Sequence, residues 1–118
     1  MDEIKLFDSE LKIMEILWRE GCVSAKQISI IATKDIGWNK NTTYTVIKKL
    51  IDKKAIVRTE PGFVCSPLIT RDVVQKDETE RLIDKLWGGS KKAFFAAFVD
   101  EHLSDAEISE LKSLIEKR

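Results

Sequence analysis

In residues 9–20, SELKIMEILWRE, the apolar side chains Leu11, Met14, Leu17 and Trp18 are spaced three, three and one residue apart, which gathers them on one face of a helix. Asp8 or Ser9 is placed to cap its start and Gly21 to stop it. Ser24-Ala25-Lys26-Gln27 has the form of a capping box, with Val23 and Ile28 at the staple positions, and so opens a second helix. Ile28, Ile31 and Ala32 form its apolar face until Lys34-Asp35-Ile36-Gly37 interrupts the pattern. A third helix is predicted from an Asn39 cap to about Lys54, with Thr43, Val46, Ile47, Leu50 and Ile51 on one stripe. At about 100° per residue, Asn41, Thr45, Lys48 and Asp52 lie opposite that stripe, Tyr44 flanks it on one side, and Thr42 and Lys49 flank it on the other.

The period then changes. Residues 56–59 and 63–66 read as two short strands around Glu60-Pro61-Gly62, closed by Pro67. Thr70 can cap a helix of roughly Arg71 to Trp87, polar at first and apolar later through Leu82, Ile83, Leu86 and Trp87. Gly88-Gly89-Ser90 separates it from residues 91–99, where Phe94, Phe95 and Phe98 among alanines leave most of the circumference apolar, so burial is expected. Ser104-Asp105-Ala106-Glu107 is a second capping box, stapled by Leu103 and Ile108, and opens a last helix with Ile108, Leu111, Leu114 and Ile115 on one face. The expected fold class is mainly α with a small β-hairpin: an N-terminal winged helix-turn-helix over residues 1–70 and a C-terminal helical dimerisation arm over 71–118.

Composition narrows the classes. The chain has 118 residues, 43% hydrophobic and 34% charged, the balance of a helix-rich globular protein and not of a disordered one. No apolar run reaches membrane-spanning length, and Met1-Asp2-Glu3-Ile4-Lys5 lacks the basic start and apolar stretch of a secretion signal, so a cytoplasmic protein with no membrane insertion is expected. A net charge of zero conceals a basic stretch: Lys40, Lys48, Lys49, Lys53, Lys54 and Arg58 face the single acid Asp52. Cys22 and Cys65 are too few for a disulfide framework and, with the lone His102, match no zinc spacing; they read as free thiols, with no metal or cofactor. No nucleophile is paired with a base and no glycine-rich phosphate loop is present, so an enzyme is not expected.

Three helices followed by a hairpin within about seventy residues is the element order of a winged helix. Its third helix docks in the major groove, and residues near that helix's N-terminus reach base edges. Here those are Asn41, Thr42, Tyr44 and Thr45. Asn pairs with adenine in bidentate fashion, and a threonine methyl lies against a thymine methyl, so the surface suits A·T-containing sites in double-stranded DNA. Lys40, Lys48, Lys49, Lys53, Lys54 and Arg58 are placed to meet phosphates, a contribution that falls as salt rises. The hairpin tip carries Glu60 where a phosphate grip would want a cation, so the wing is expected to add little. The alternative is a solvated helix face on a winged helix that binds protein instead of DNA.

About 45 residues cannot close a stable core alone, yet the second half carries Leu82, Leu86, Trp87, Phe94, Phe95, Phe98, Leu111, Leu114 and Ile115. The simplest surface for them is a second copy of the same arm, in a homodimer that would also raise avidity for DNA. The alternative is an arm folded back on its own N-terminal domain.

ELKIMEILW at 10–18, NKNTTYTVIKKLIDKKAIV at 39–57 and GGSKKAFFAAFVDEHLSDAEISELKSLIEK at 88–117 together resemble the BlaI/MecI/CopY family of bacterial repressors, across nearly the whole chain. The resemblance implies a homodimer on a palindromic operator with TACA/TGTA-type half-sites, repressing a β-lactamase gene and its sensor's gene. It also implies release through a membrane sensor protease pathway, in which a β-lactam acylates the sensor and the repressor is cut. The family's cut at an Asn-Phe bond maps here to Ala97-Phe98, with alanine in place of the asparagine. A cut there would detach the final helix and weaken the dimer. The copper-responsive branch carries a C-terminal C-x-C-x4-C-x-C cluster suited to Cu(I). This chain ends Ile115-Glu116-Lys117-Arg118, so copper sensing is not expected, and a signal other than β-lactam stays open.

Overall fold

Nine elements follow one another along residues 4–118, the part of the chain that the computed structural model describes. Met1, Asp2 and Glu3, on which the secretion-signal reading drew, lie outside the described residues. The order is α1 (Asp8–Glu20), β1 (Val23–Ser24), α2 (Ala25–Ile36), α3 (Lys40–Asp52), β2 (Ile56–Thr59), β3 (Val64–Pro67), α4 (Arg71–Trp87), α5 (Lys91–His102) and α6 (Asp105–Glu116). The chain divides into two compact units, one ending at Glu78 and the other spanning Thr79–Arg118. The first unit takes in the start of α4, where Val74, one turn into the helix, belongs to its hydrophobic core.

In the first unit, α1 buries Ile13, Met14, Ile16 and Leu17, a wider stripe than the four positions read from the sequence, of which Leu11 and Trp18 are only partly buried. Its cap is also a correction. Neither Asp8 nor Ser9 caps it; Phe7 is the N-cap residue, and the Glu10 carboxylate reaches back to accept the Phe7 amide at 2.7 Å. Ser24 caps α2 as expected, accepting the Gln27 amide at 3.0 Å. Among the described residues Gln27 does not return that bond, so the box is half closed. α2 ends on Gly37, whose left-handed φ of 83° a side chain would resist.

α3 is capped by Asn39, whose Oδ1 accepts the Thr42 amide at 2.8 Å; such a cap contributes about 1 kcal/mol. Thr43, Val46, Ile47 and Leu50 are buried, each apolar side chain contributing about 1.5–3 kcal/mol relative to exposure. The helix ends at Asp52 with a Schellman closure: the Ala55 amide donates to Leu50 O and the Lys54 amide to Ile51 O. Lys54 thereby occupies the left-handed position, at φ 64°.

β2 and β3 pair antiparallel with Arg58 opposite Cys65 and Thr59 opposite Val64. β1 adds to the other edge of β3, Val23 opposite Cys65, giving the order β1-β3-β2. Two residues are too few for an alternating pattern to register, so the sequence reading found Ser24 only as a cap. Phe63, read as the first residue of the second strand, stands in the turn at φ 50°.

In the second unit, Ser104 and Glu107 form the complete capping box of α6. Trp87, Phe94, Phe98 and His102 stack in sequence, with ring centroids 5.0, 6.0 and 5.3 Å apart. Phe95, Val99, Ile108, Leu111 and Ile115 line an apolar groove of about 310 Å³ between α5 and α6. The burial expected of α5 is not met within this unit, since neither α5 nor α6 has a buried residue. Three short helical segments have too little mutual surface to cover so many apolar side chains.

Candidate nucleic-acid interface

The stripe that anchors α3 leaves its other face outward. Lys40, Asn41, Thr42, Thr45, Lys48 and Lys49 are all exposed, so one surface carries an ammonium at the helix start, then amide and hydroxyl groups, then two further ammonium groups. The Thr45 hydroxyl donates to the Asn41 carbonyl at 2.9 Å, one turn back, while the buried Thr43 makes the same bond to Asn39 at 3.1 Å. Asn39 caps; Asn41, two positions on, keeps its side chain in solvent.

Tyr44 is half-buried at the margin of this face. Its ring meets Phe63 edge-on, centroids 5.9 Å apart at 88°, and the Lys40 ammonium lies 5.7 Å from its centroid. From the wing, the Arg58 guanidinium carbon lies over Phe63, 3.7 Å from the ring centroid, and its Nε pairs with the Glu60 carboxylate. Glu60 also accepts the Phe63 amide, and these two bonds, the amide's first, hold its carboxyl below the usual carboxylate range. The acid at the wing tip is thus a tie between wing residues.

Lys53, expected among the phosphate contacts, is engaged within its own chain. Its ammonium donates to Glu10 Oε1 at 2.6 Å and to Lys5 O at 2.9 Å, and sits 4.3 Å from the Phe7 ring. Glu10, only 1% exposed, is the reason: a buried carboxylate needs a cation, and Lys53 supplies it. The remaining cations, Lys40, Lys48, Lys49, Lys54 and Arg58, stay exposed. Phe63 was missed as a site residue because its turn position and its partner on α3 leave no mark in a strand pattern.

Of the arm positions, Leu82, Leu86, Phe95, Phe98, Leu114 and Ile115 are exposed, and Trp87, Phe94 and Leu111 half-buried. Ala97 is half-buried, beside exposed Phe98 in the middle of α5. Among the described residues no cluster of three or more His, Cys, Asp or Glu side chains is placed to hold a metal ion, and no helix is long and apolar enough to cross a membrane.

A family model described as penicillinase repressor matches residues 6–117. The chain is 28% identical over 116 residues to the penicillinase repressor of Staphylococcus aureus, covering 96% of this chain and 92% of that one. It is 26% identical over 117 residues to the methicillin resistance regulatory protein MecI of Mammaliicoccus sciuri, covering 97% and 95%. The fold of the DNA-binding domain of the repressor BlaI, in a solution structure, matches with a TM-score of 0.56 at 24% identity, over 61% of this chain and 90% of that one. The Bacillus licheniformis BlaI monomeric form, solved in complex with the blaP half-operator, matches with a TM-score of 0.54 at the same identity and coverage.

Proposed function

The chain belongs to the penicillinase repressor family, and from that premise we propose that it is a dimeric transcriptional repressor whose α3 reads an operator in the major groove. The observation that carries this reading is the outward face of α3: a helix held from behind by Val46, Ile47 and Leu50 presents Asn41, Thr42 and Thr45 at its start and Lys48 and Lys49 after them. Hydrogen-bonding side chains at the helix N-terminus reach base edges, while the lysines meet the flanking phosphates. Tyr44 lies beside the base-reading group, and Lys40, Lys54 and Arg58 extend the cationic rim.

The regulated genes are β-lactam-resistance genes, in keeping with the names of the relatives, and the operator is a palindrome of TACA/TGTA-type half-sites. Two protomers join through the arm, where Leu86, Phe95, Leu114 and Ile115 offer apolar surface to a second copy. Release follows a cut in α5 at Ala97-Phe98 by a membrane sensor protease pathway; without α6 the protomers separate and each half-site contact loses its avidity.

Fluorescence anisotropy tests this reading. The full chain, titrated against a labelled duplex with inverted TACA/TGTA half-sites and against a scrambled duplex of equal composition, is expected to prefer the palindrome. Affinity falls steeply as salt is raised. Equal and salt-insensitive binding to both duplexes would overturn the reading.

A further inference from the structure

We infer that Phe63 is a positioning residue for DNA recognition, setting both Tyr44 on the reading helix and Arg58 on the wing. This rests on the operator-binding reading of α3. Four side chains form one continuous stack across the two elements: the Lys40 ammonium over Tyr44, Tyr44 edge-on to Phe63, and Phe63 under the Arg58 guanidinium. A ring presents a negative face and a positive edge, so this order alternates favourable contacts, with each cation on a face and the two rings perpendicular.

Phe63 is itself fixed by two hydrogen bonds of its backbone. Its amide donates to Glu60 Oε2 at 3.1 Å, and its carbonyl accepts the amide of Ala25, the first residue of α2, at 2.9 Å. Its φ of 50° is a conformation that a bulky residue adopts only when its surroundings impose it. Glycine is the ordinary occupant of such a turn position, and Gly62 stands next door; the ring at 63 is there for what it touches.

The consequence is specific to Arg58. With Nε held by Glu60 and the guanidinium carbon 3.7 Å from the ring centroid, no hydrogen bond from its two terminal amino groups is found among the described residues. A guanidinium held at Nε by a carboxylate and seated against a ring, with its terminal amino groups turned to no acceptor, is preorganised for a phosphate. Glu60, an apparent liability at the wing tip, therefore orients the cation that grips the backbone. Tyr44 gains in parallel, since the Phe63 ring restricts its orientation beside Asn41 and Thr45.

The test uses the full chain with Phe63→Leu, Arg58→Gln and the double variant, each titrated over a salt series against the palindromic and scrambled duplexes. Phe63→Leu keeps apolar bulk and removes the ring. It is expected to lower palindrome affinity about three- to fivefold and to narrow the palindrome-to-scrambled ratio. It is also expected to reduce the slope of log Kd against log salt by about 1 through loss of the Arg58 contact. In the Arg58→Gln background the same substitution should leave the slope unchanged and still narrow the ratio through Tyr44. A merely structural role would lower the folded fraction without altering slope or ratio. Wild-type slope and ratio in Phe63→Leu would overturn the inference, as would a slope loss that persists undiminished without Arg58. Failure of the unaltered protein to prefer the palindrome would overturn the operator reading itself, a separate outcome.

Discussion

The Glu10 carboxylate and the Lys53 ammonium meet at 2.6 Å, joining the first turn of α1 to the C-cap of α3. One partner is buried and the other's side chain is 30% exposed, so the contact sits at the edge of the core. Lys53→Met would strand a buried charge and is expected to destabilise the first unit by about 2–3 kcal/mol, toward the low side of values for buried pairs. Urea unfolding measures this. Because Lys53 serves Glu10, the same variant, assayed where it remains folded, should keep the wild-type salt slope on DNA, whereas Lys49→Ala should lose about 1. A slope loss in Lys53→Met would restore Lys53 to the phosphate contacts.

Lys54 holds a left-handed conformation at the point where α3 hands over to β2. Lys54→Gly should remove that strain and stabilise by about 1 kcal/mol, raising Tm by roughly 4–8 °C for a unit of this size. Calorimetry decides, and a lowered Tm would mean the strain is not borne at this residue.

The two thiols differ in access. Cys22 is exposed, its Sγ accepting the Ser66 hydroxyl at 3.0 Å, and Cys65 is buried, which pushes its thiol up to about 11. At pH 8 a chromogenic disulfide should titrate one thiol in the native protein and the second only after denaturation. Since the folded thiol holds its proton more tightly, its stabilising contribution is present below the ordinary value of 9.0 and is lost as pH rises toward about 11. Two thiols reacting at equal rates in the native protein would contradict the burial of Cys65.

In the arm, Leu114 and Ile115 are 59% and 61% exposed beside the α5–α6 groove. Ile115→Glu is expected to convert a dimer to monomers at micromolar concentration with helix content unchanged. Sedimentation that still shows dimers would place the interface elsewhere.

The helices of the first unit were legible because their signals are local: Ser24 and Asn39 each bond an amide three residues on, and Val46, Ile47 and Leu50 lie within four residues of one another. The outward face of α3 followed from the same periodicity, since whatever opposes a buried stripe is exposed. What the sequence hid depends on distant partners. Glu10 reads as one more surface acid until Lys53, 43 residues away, closes on it, and Lys53 reads as one more surface cation for the same reason. Phe63 meets Tyr44 only because β3 folds back along the start of α2, and no spacing rule reaches across that turn. The wide apolar circumference of α5 was visible, but a pattern shows that burial is needed, not whether one chain can provide it.

Entry of α3 into the groove is what a heteronuclear NMR titration of the isotopically labelled full chain with the palindromic duplex would detect. The largest amide shift changes are expected on residues 40–49, with smaller ones around Arg58 and Phe63. Saturable binding that leaves 40–49 unmoved while another surface shifts would contradict it.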